Sequence, residues 1–331
     1  MKISFEDKRY PLTVLPKGKA PVFSALEPHI AYTFSGKSAI SQVLGYYRLR
    51  HVLLNKSSQV LVPHWLGTWV YMTMHHFCFP TTTMSKDVKG MMVYHQWGFP
   101  QKMEKIMAFA KKHDLFVLED CAHGFRSSYR GKRIGMFGDE SIWSFAKFFP
   151  SVVGGAVYTK DAALLDFIKK SYQKSDAALE KKVFNHLIRT NRHPTTGALR
   201  EIARNYAIYP ELFSCPSYAR KAVAKMLASG ALEKRQENFR LLREAFWGKA
   251  EERLLEDSEV SPWVVPLFFG NKNKEVAAAL RKRGIESGVY HFDVNRNMLA
   301  PNFVECVAVP CHQGVSSAVI GSMIDTIRAA R

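Results

Sequence analysis

Residues 116–157 read FVLEDCAHGFRSSYRGKRIGMFGDESIWSFAKFFPSVVGGAV and place polar groups at the ends of apolar runs. Asp120 follows the apolar run 115–118, and an S-x-x-K sequence, Ser144 to Lys147, follows a second run. Short apolar runs alternate with helical patterns on both sides of this stretch, which predicts a largely parallel sheet flanked by helices. Ligands of open α/β sheets bind at the carboxyl ends of the strands. We therefore expect Asp120 to lie at the rim of a ligand site.

The residue types of this stretch suit pyridoxal phosphate. Its ring nitrogen stays protonated against an ionised carboxylate, for which Asp120 is the candidate. Its aldehyde needs an amine that also carries a proton between substrate and cofactor, and Lys147 is the candidate. Its phosphate favours hydroxyls, backbone N–H groups and a helix N-terminus, and Ser144 supplies a hydroxyl. Each residue alone has an ordinary alternative, such as a loop-capping aspartate or a solvated lysine, so the prediction rests on the set.

A second candidate for the phosphate end is the turn formed by Ser35, Gly36, Lys37 and Ser38. The apolar residues after it recur at helical spacing, so the turn leads into a helix that starts near Ser38. A glycine there allows backbone N–H groups to approach an anion closely. The alternative is a simple N-cap by Ser35 that binds no ligand.

Three aromatic or histidine side chains are candidates for the ring of the cofactor. Trp65 and Trp69 flank the loop after the strand predicted near residue 60, and either indole would suit a ring face. His123, three residues after Asp120, is within reach of the same site and suits the cofactor's phenolic oxygen. The alternatives are core packing for the tryptophans and a hydrogen bond within its own loop for His123.

The length of 331 residues and the hydrophobic content of 47% fit two domains with a sizeable core. We expect a large domain over residues 1–215 and, over residues 216–331, an interdomain helix and a small α+β domain. Gly230 is expected to break the helical pattern between residues 216 and 246. Other predicted elements are strands at 60–62, 91–94, 115–118 and 263–267, and helices at 68–76, 102–112, 275–283 and 317–328.

Bulk properties bound the function further. Five cysteines without C-x-x-C spacing favour free thiols in a reducing compartment, and no metal site is expected. No leader pattern opens the chain and no apolar run reaches the ~20 residues of a membrane helix, so a cytoplasmic protein without a membrane span is predicted. The net charge of +18 fits nucleic acid, an anionic membrane surface or a phosphorylated small substrate. Since the basic residues are scattered, specific nucleic-acid recognition is not expected.

Taken together, these segments resemble the DegT/DnrJ/EryC1/StrS family of pyridoxal-phosphate-dependent aminotransferases. The combination of EDCAHG (119–124), RGKRIGMFGD (130–139) and a lysine before GGAV (154–157) is the specific part of the resemblance. Shorter matches extend it over nearly the whole chain: FSGKSAI (34–40), VPHW (62–65), YHQWGFP (94–100), EKRQENFRLL (233–242), RKRGIESGVYH (281–291) and VPCHQGVS (309–316). The resemblance implies the aspartate-aminotransferase type I fold and amine transfer, with glutamate the plausible donor, to a nucleotide-linked keto-sugar for polysaccharide biosynthesis.

The resemblance also implies roles for individual residues. Asp120 matches the aspartate on the pyridine nitrogen, and His123 matches a neighbouring Gln or His. Ser144 matches the phosphate-binding serine, and Lys147 matches the Schiff-base lysine. The turn 36–38 matches the amides that hold the phosphate. Family dimers lend an Asn-rich loop to the neighbouring active site, for which Asn205 is the best local match, so a homodimer is implied.

The chain departs from the family pattern around the lysine. Many members have S-x-x-x-x-K, and under that spacing Phe149 would occupy the lysine position and the protein would be inactive. A branch with S-x-x-K-x-x-P matches the sequence at 144–150, and we favour it. Relatives that eliminate a hydroxyl have histidine in place of the lysine, so transamination is favoured over dehydration. The alternative is a binding protein on the same scaffold that lacks catalysis or the cofactor; recruitment to nucleic acid or a membrane by charge is a third, weaker alternative.

Overall fold

The structure is a computed structural model that describes residues 2–7, 22–173, 178 and 214–331. Between residues 22 and 173 the chain contains nine strands, which are β1 Ile30–Thr33, β2 Gln59–Leu61, β3 Phe79–Thr81, β4 Val88–Tyr94, β5 Phe116–Asp120, β6 Ser128–Tyr129, β7 Lys132–Arg133, β8 Glu140–Ser144 and β9 Gly155–Thr159. Seven of them form one sheet in the order β1-β9-β8-β5-β4-β2-β3. Strands β3, β2, β4, β5 and β8 run parallel, whereas β9 is antiparallel to β8 and to β1. The predicted mostly parallel α/β sheet is confirmed.

Helices cover both faces of this sheet. They are α1 Gly36–Leu49, α2 Thr68–Met74, α3 Met103–Lys112, α4 Phe145–Phe148 and α5 Ala162–Tyr172. Helices α1 and α5 pack on one face, where Met92 of β4 is buried, and α3 packs on the other, where Met91 and Val93 are buried. Since both faces are covered, β4 reads as a continuous apolar run rather than an alternating one.

The C-terminal part is α+β, as predicted. Its elements are α6 Ser217–Ala228, α7 Ala231–Phe246, α8 Lys249–Glu252, β10 Ser258–Glu259, β11 Val264–Leu267, α9 Asn273–Lys282, β12 Gly288–Asp293, β13 Phe303–Pro310 and α10 Ser317–Ala330. Gly230 lies between α6 and α7 with φ +74°, which confirms the predicted break. Strands β11, β13 and β12 form an antiparallel sheet packed against α9 and α10. The sequence did not predict β12 or β13.

The N-terminal residues 2–7 pack against the C-terminal part. Ile3 forms a parallel bridge with Ile285, and its N–H donates to the Gly284 carbonyl at 2.9 Å. Phe5 makes an edge contact with Trp263 at 5.5 Å between ring centroids. The predicted division at residue 215 stays a prediction. Among the described helices, none combines the length and the apolar character needed to cross a bilayer.

Candidate active site

The carboxyl edge of the central sheet, where β4, β5 and β8 end, brings several predicted residues together. Tyr94 and Asp120 end β4 and β5 as register neighbours, and Ser144 ends β8. The short helix α4 follows Ser144 directly and carries Lys147. Parallel strands point their carboxyl ends the same way, so residues separated by 50 positions in the sequence share one rim.

Asp120 is a buried carboxylate that the described residues satisfy only in part. Its side chain is 2% exposed, and Oδ1 accepts the N–H of Ala122 at 2.9 Å. Its second oxygen, Oδ2, has no hydrogen-bond partner among the described residues. Burial raises the pKa of Asp120 to about 6, and the Ala122 N–H, then His95 and then the charge of Lys147 offset only part of that effect. Such a carboxylate suits a cationic N–H donor as its remaining partner.

Lys147 lies within electrostatic range of Asp120 and is held by a residue at the start of the chain. Its Nζ lies 2.7 Å from Oε1 of Glu6 and 5.0 Å from the ring centroid of Trp263. The pair is half-buried, with exposed side-chain fractions of 37% for Lys147 and 30% for Glu6. An amine at this position is accessible to a ligand, whereas a fully buried amine would not be.

A buried arginine positions the turn that carries Lys147. Arg235 is fully buried, and its Nη2 donates to the carbonyl of Phe148 at 3.0 Å. Nε2 of Gln313 donates to the same carbonyl at 2.8 Å. The Arg235 guanidinium also donates to the carbonyls of Pro262 and Trp263. Because a four-residue helix stabilises itself poorly, these bonds fix its last carbonyl and with it the direction of Lys147.

The N-terminus of α1 lies against Ser144. A Cβ added to Gly36 would be 3.0 Å from the Ser144 Cβ, and one added to Gly155 would be 2.5 Å from the Ser35 backbone. Glycines at both positions therefore permit the close approach of the two turns. Oγ of Ser144 has no partner among the described residues, while the N–H of Ser38 already donates to Ser35 Oγ at 3.1 Å. The N-cap by Ser35 is therefore present, and the phosphate-binding role of this turn stays a prediction.

The remaining predicted residues lie at the outer side of the site. Burial lowers the pKa of Lys37 to about 8, with the charge of Lys147 as the second cause. The Lys37 Nζ lies 5.0 Å from the ring centroid of Trp69, which is 47% exposed. Trp65 is 38% exposed and contacts His291 at 5.6 Å between centroids. Neither tryptophan is core, contrary to the packing alternative.

His123 is enclosed between two aromatic rings. Its ring stacks on Trp263 at 4.2 Å with an interplanar angle of 8°, and its Nδ1 lies 2.6 Å from Oη of Tyr94. Burial, and then the charge of Lys147, hold the pKa of His123 well below its usual range. The alternative of a hydrogen bond within its own loop is not what the structure shows, since Tyr94 belongs to another strand.

Glu119, which precedes Asp120, is satisfied within the protein. Its oxygens accept the N–H groups of Gly135, Phe137 and Gly138, and Nε2 of His95 lies 3.0 Å from Oε2. His95, Glu119 and Cys121 offer ligand atoms within 4.8 Å of one another. Because both Glu119 oxygens already accept hydrogen bonds, this group reads as a buried polar network and not as a metal site.

The structure separates the two possible lysine positions. Phe149, which the longer spacing would place at the lysine position, is 1% exposed and packs against Phe125 at 4.9 Å between centroids. Lys147 is half-exposed on the helix that follows Ser144, and its role as the Schiff-base lysine stays a prediction. Asn205 lies outside the described residues. The site also contains Tyr94, Trp263 and Glu6, which the sequence analysis did not single out; Tyr94 and Trp263 stand at strand ends, which is the one signal that marks them.

Part of the chain matches a known protein family. Residues 80–206 match the DegT/DnrJ/EryC1/StrS aminotransferase family. The GDP-perosamine synthase of Escherichia coli O157:H7 is 44% identical over 85 residues, which are 25% of this chain and 23% of that protein. The UDP-4-amino-4,6-dideoxy-N-acetyl-beta-L-altrosamine transaminase of Helicobacter pylori is 25% identical over 66% of this chain and 60% of its own length. The match thus spans less than two thirds of either relative.

The fold has close structural counterparts. Helicobacter pylori PseC, described as an aminotransferase involved in the biosynthesis of pseudoaminic acid, superimposes with a TM-score of 0.69. The superposition covers 100% of this chain and 99% of PseC at 15% sequence identity, so it establishes the shared fold. The matched segment 80–206 contains Asp120, His123, Ser144 and Lys147. These findings confirm the resemblance predicted from the sequence: over residues 80–206 the chain matches the DegT/DnrJ/EryC1/StrS aminotransferase family, and its fold is that of the solved aminotransferases.

Proposed function

We propose that this chain is a pyridoxal-phosphate-dependent aminotransferase that moves an amino group from an amino acid, glutamate by family resemblance, to a nucleotide-linked keto-sugar. One observation carries the proposal. A buried carboxylate, Asp120, keeps one oxygen without a described partner, and the Lys147 ammonium lies within its electrostatic range. An acceptor for a protonated ring nitrogen and an amine for an aldehyde are the two groups that this cofactor requires.

The other residues of the carboxyl edge fit the same cofactor. The Oγ of Ser144 has no described partner, and the start of α1 lies beside it, which together suit a phosphate. Lys37 adds a positive charge at this end of the site. His123 lies beside Trp263 on the side of Lys147, where it suits the phenolic oxygen of the cofactor ring.

Each residue has a definite task in the proposed reaction. Pyridoxal phosphate, when bound, supplies an electron sink as long as its ring nitrogen is protonated. Asp120 would keep that proton in place through its oxygen without a described partner. Lys147 Nζ would hold the cofactor through its aldehyde and, as a free amine, would carry the proton that leaves the α-carbon of the amino donor. Glu6 Oε1 holds the ammonium form of Lys147 by their ion pair at 2.7 Å.

The substrate class rests on the relatives. The names of the two relatives above carry GDP- and UDP-linked amino sugars, and we extend that class to this chain as part of the proposal. The net charge of +18 fits an anionic acceptor of this kind. A cytoplasmic location in polysaccharide biosynthesis is part of the same proposal, and the five free cysteines fit a reducing compartment.

We also propose that the protein works as a homodimer. Four large apolar side chains of α2 and the edge strand β3 are at least 37% exposed, and they are Trp69, Tyr71, Met72 and Phe79. This apolar surface adjoins the site, because Trp69 contacts Lys37. A second copy is the occupant that the family resemblance implies, and covering these side chains would remove them from water. Sedimentation at micromolar concentration tests the dimer, and a monomer contradicts it.

The test of the enzyme is direct. We expect purified protein to bind pyridoxal phosphate with a visible absorption band, and borohydride to fix the cofactor on the peptide that contains Lys147. Lys147→Arg should keep the charge and lose the adduct, while Lys111→Arg, an exposed lysine on α3, should change nothing. Transfer of the amine from glutamate to GDP- or UDP-linked keto-sugars is then followed as 2-oxoglutarate formation. Wild-type protein without an adduct would contradict the proposal.

One observation favours a second candidate, a binding protein on the same scaffold without catalysis. The amine of Lys147 is engaged by Glu6, and a permanent ion pair would keep it from an aldehyde. The Lys147–Glu6 ion pair is only half-buried, and such pairs stabilise a protein by ~1 kcal/mol or less. A pair this weak opens readily and releases the amine. The same borohydride experiment distinguishes the candidates, because the binding protein takes up ligand reversibly and leaves Lys147 unmodified.

A further inference from the structure

Tyr94 is the last residue of β4, at the carboxyl edge of the central sheet. It ends β4, pairs in register with Asp120 and places its Oη 2.6 Å from Nδ1 of His123. The N–H of Trp97 points to the same Oη at 3.4 Å. Tyr94 is therefore an acceptor for one backbone donor and shares one short hydrogen bond with the histidine of the site.

The position of the shared proton follows from the surroundings. Burial, with the negative charge of Asp120 as second cause, raises the pKa of Tyr94 well above its usual range, so the phenol keeps its proton. Since Trp97 donates to Oη, the phenol O–H is directed to the other neighbour, Nδ1 of His123. Burial and the nearby charge of Lys147 hold the pKa of His123 well below its usual range, so its ring is neutral and carries a single N–H. With Nδ1 accepting, that N–H is on Nε2.

The rest of the site fixes the ring plane and leaves Nε2 available. Trp263 stacks on one face of His123 at 4.2 Å, and Tyr94 meets its edge with ring centroids 5.5 Å apart. Nε2 of His123 has no hydrogen-bond partner among residues 2–7, 22–173, 178 and 214–331. The described residues therefore contact the ring on one face and at one edge, and they leave the Nε2 donor without a partner.

We infer that Tyr94 is a positioning residue that fixes His123 as the neutral Nε2–H tautomer, so that the site offers a hydrogen-bond donor to an anionic ring oxygen. The inference rests on the proposed function, in which that oxygen is the phenolic oxygen of pyridoxal phosphate. The opposite tautomer would direct a nitrogen lone pair toward the oxygen and repel it. Asp120 as acceptor would then suit the ring N–H of pyridoxal phosphate, and His123 as donor would suit its phenolic O⁻.

The tautomer is measurable without ligand. In the cofactor-free chain labelled with ¹⁵N-histidine, His123 is assigned by its loss in His123→Gln, and two-bond correlations identify the protonated nitrogen. We expect Nε2 protonated and Nδ1 unprotonated between pH 6 and 8. A proton on Nδ1, or a charged ring in this range, would overturn the inference.

Binding measurements give a second, independent readout. We expect Tyr94→Phe to raise the Kd for pyridoxal phosphate about fivefold to tenfold, the loss of one neutral hydrogen bond acting through His123. His123→Gln keeps a neutral donor and should bind within a few-fold of wild type. In that background Tyr94→Phe should have no further effect, since Gln has no tautomer to fix. Additive effects of the two substitutions would refute a role through His123.

A matched control removes a tyrosine hydroxyl elsewhere. Tyr47 donates to Glu140 at 2.6 Å, at the opposite end of β8 from Ser144. Tyr47→Phe should alter stability and leave the Kd unchanged. If wild-type protein forms no adduct at Lys147 but shows the Nε2–H tautomer, the proposed function fails and the role of Tyr94 stands. If the adduct forms and Tyr94→Phe binds like wild type, the function stands and the inference fails.

Discussion

Replacing Asp120 with asparagine should stabilise the cofactor-free protein at neutral pH. The side chain is 2% exposed, and burial raises its pKa from 3.8 to about 6. At about 1.4 kcal/mol per pH unit, this difference corresponds to about 3 kcal/mol that the ionised carboxylate costs the folded state. Asparagine is uncharged and keeps an oxygen for the Ala122 N–H. The free energy of unfolding should therefore increase by up to about 3 kcal/mol. Burial of the new amide NH₂ group subtracts from this gain.

The pH dependence gives this prediction its sign. Because the folded state binds the proton more tightly than the unfolded state, the Asp120 contribution to stability falls as pH rises from about 4 to about 6. The stability difference between Asp120→Asn and wild type should thus be near zero at pH 4 and complete at pH 7.5. Denaturant unfolding of both proteins at each pH measures it, and the comparison cancels the titration of other carboxylates.

Asp161 provides a control of opposite sign. A hydrogen bond from Tyr46 at 2.6 Å lowers the pKa of Asp161 below its usual value, so its ionised form stabilises the folded state. Asp161→Asn should destabilise the protein at pH 7.5, and this effect should diminish in acid. If Asp120→Asn instead destabilises equally at pH 4 and pH 7.5, the carboxylate is not strained by burial and the reasoning is wrong.

Three other substitutions test separate parts of the site. Glu6→Gln should change the free energy of unfolding by less than ~1 kcal/mol, since its ion pair with Lys147 is half-exposed. The same substitution should speed the formation of the borohydride-trapped adduct at Lys147. An unchanged rate would show that Glu6 does not restrain the amine. Arg235→Met should cost about 3 kcal/mol in denaturant unfolding by removing the Arg235 donor from the carbonyls of Pro262 and Trp263; a neutral result would contradict this. The pKa of Lys37 is about 8, so its side chain loses its positive charge as the pH rises through 8. The affinity for the cofactor should weaken over that range, and Lys37→Met should remove this pH dependence.

Asp120→Asn should have the opposite effect on cofactor binding. The amide cannot keep the ring nitrogen protonated, so a charge-assisted hydrogen bond is lost and the Kd for pyridoxal phosphate should rise about tenfold to a hundredfold. Equilibrium dialysis of wild type and variant at pH 7.5 measures it. A variant that is more stable without cofactor and binds it less well would show that Asp120 is retained for the ligand and not for the fold.

The sequence predicted those parts of the site that follow from strand ends. The apolar run before Asp120 predicted β5, and the parallel sheet then predicted that Asp120 and Ser144 would share one edge. The S-x-x-K spacing predicted a lysine close to Ser144, and Lys147 lies on the short helix that follows it. These inferences need only local patterning and the direction of parallel strands, which a sequence displays directly.

The contacts between distant segments could not be predicted in the same way. Glu6 reaches Lys147 across 141 positions, and no periodic pattern connects the two. Trp65 and Trp69 were candidates for the ring, whereas Trp263 is the indole beside Lys147 and His123, because the fold of the C-terminal part decides which indole arrives there. Strand β12 was missed because it is half-exposed and lacks a continuous apolar run.

The adjacent residues Glu119 and Asp120 have different roles, because Glu119 stabilises the fold and Asp120 is available to a ligand. Consecutive residues of a strand point to opposite faces, so the two carboxylates meet different surroundings. Glu119 accepts three backbone N–H groups and contacts His95, and it has no oxygen left for a ligand. Asp120 accepts one N–H and retains an oxygen at the edge that Lys147 shares. A buried carboxylate with an unused oxygen destabilises the fold unless a cationic partner arrives, and that unmet requirement, rather than the position of the residue in a motif, is what argues for a ligand at Asp120.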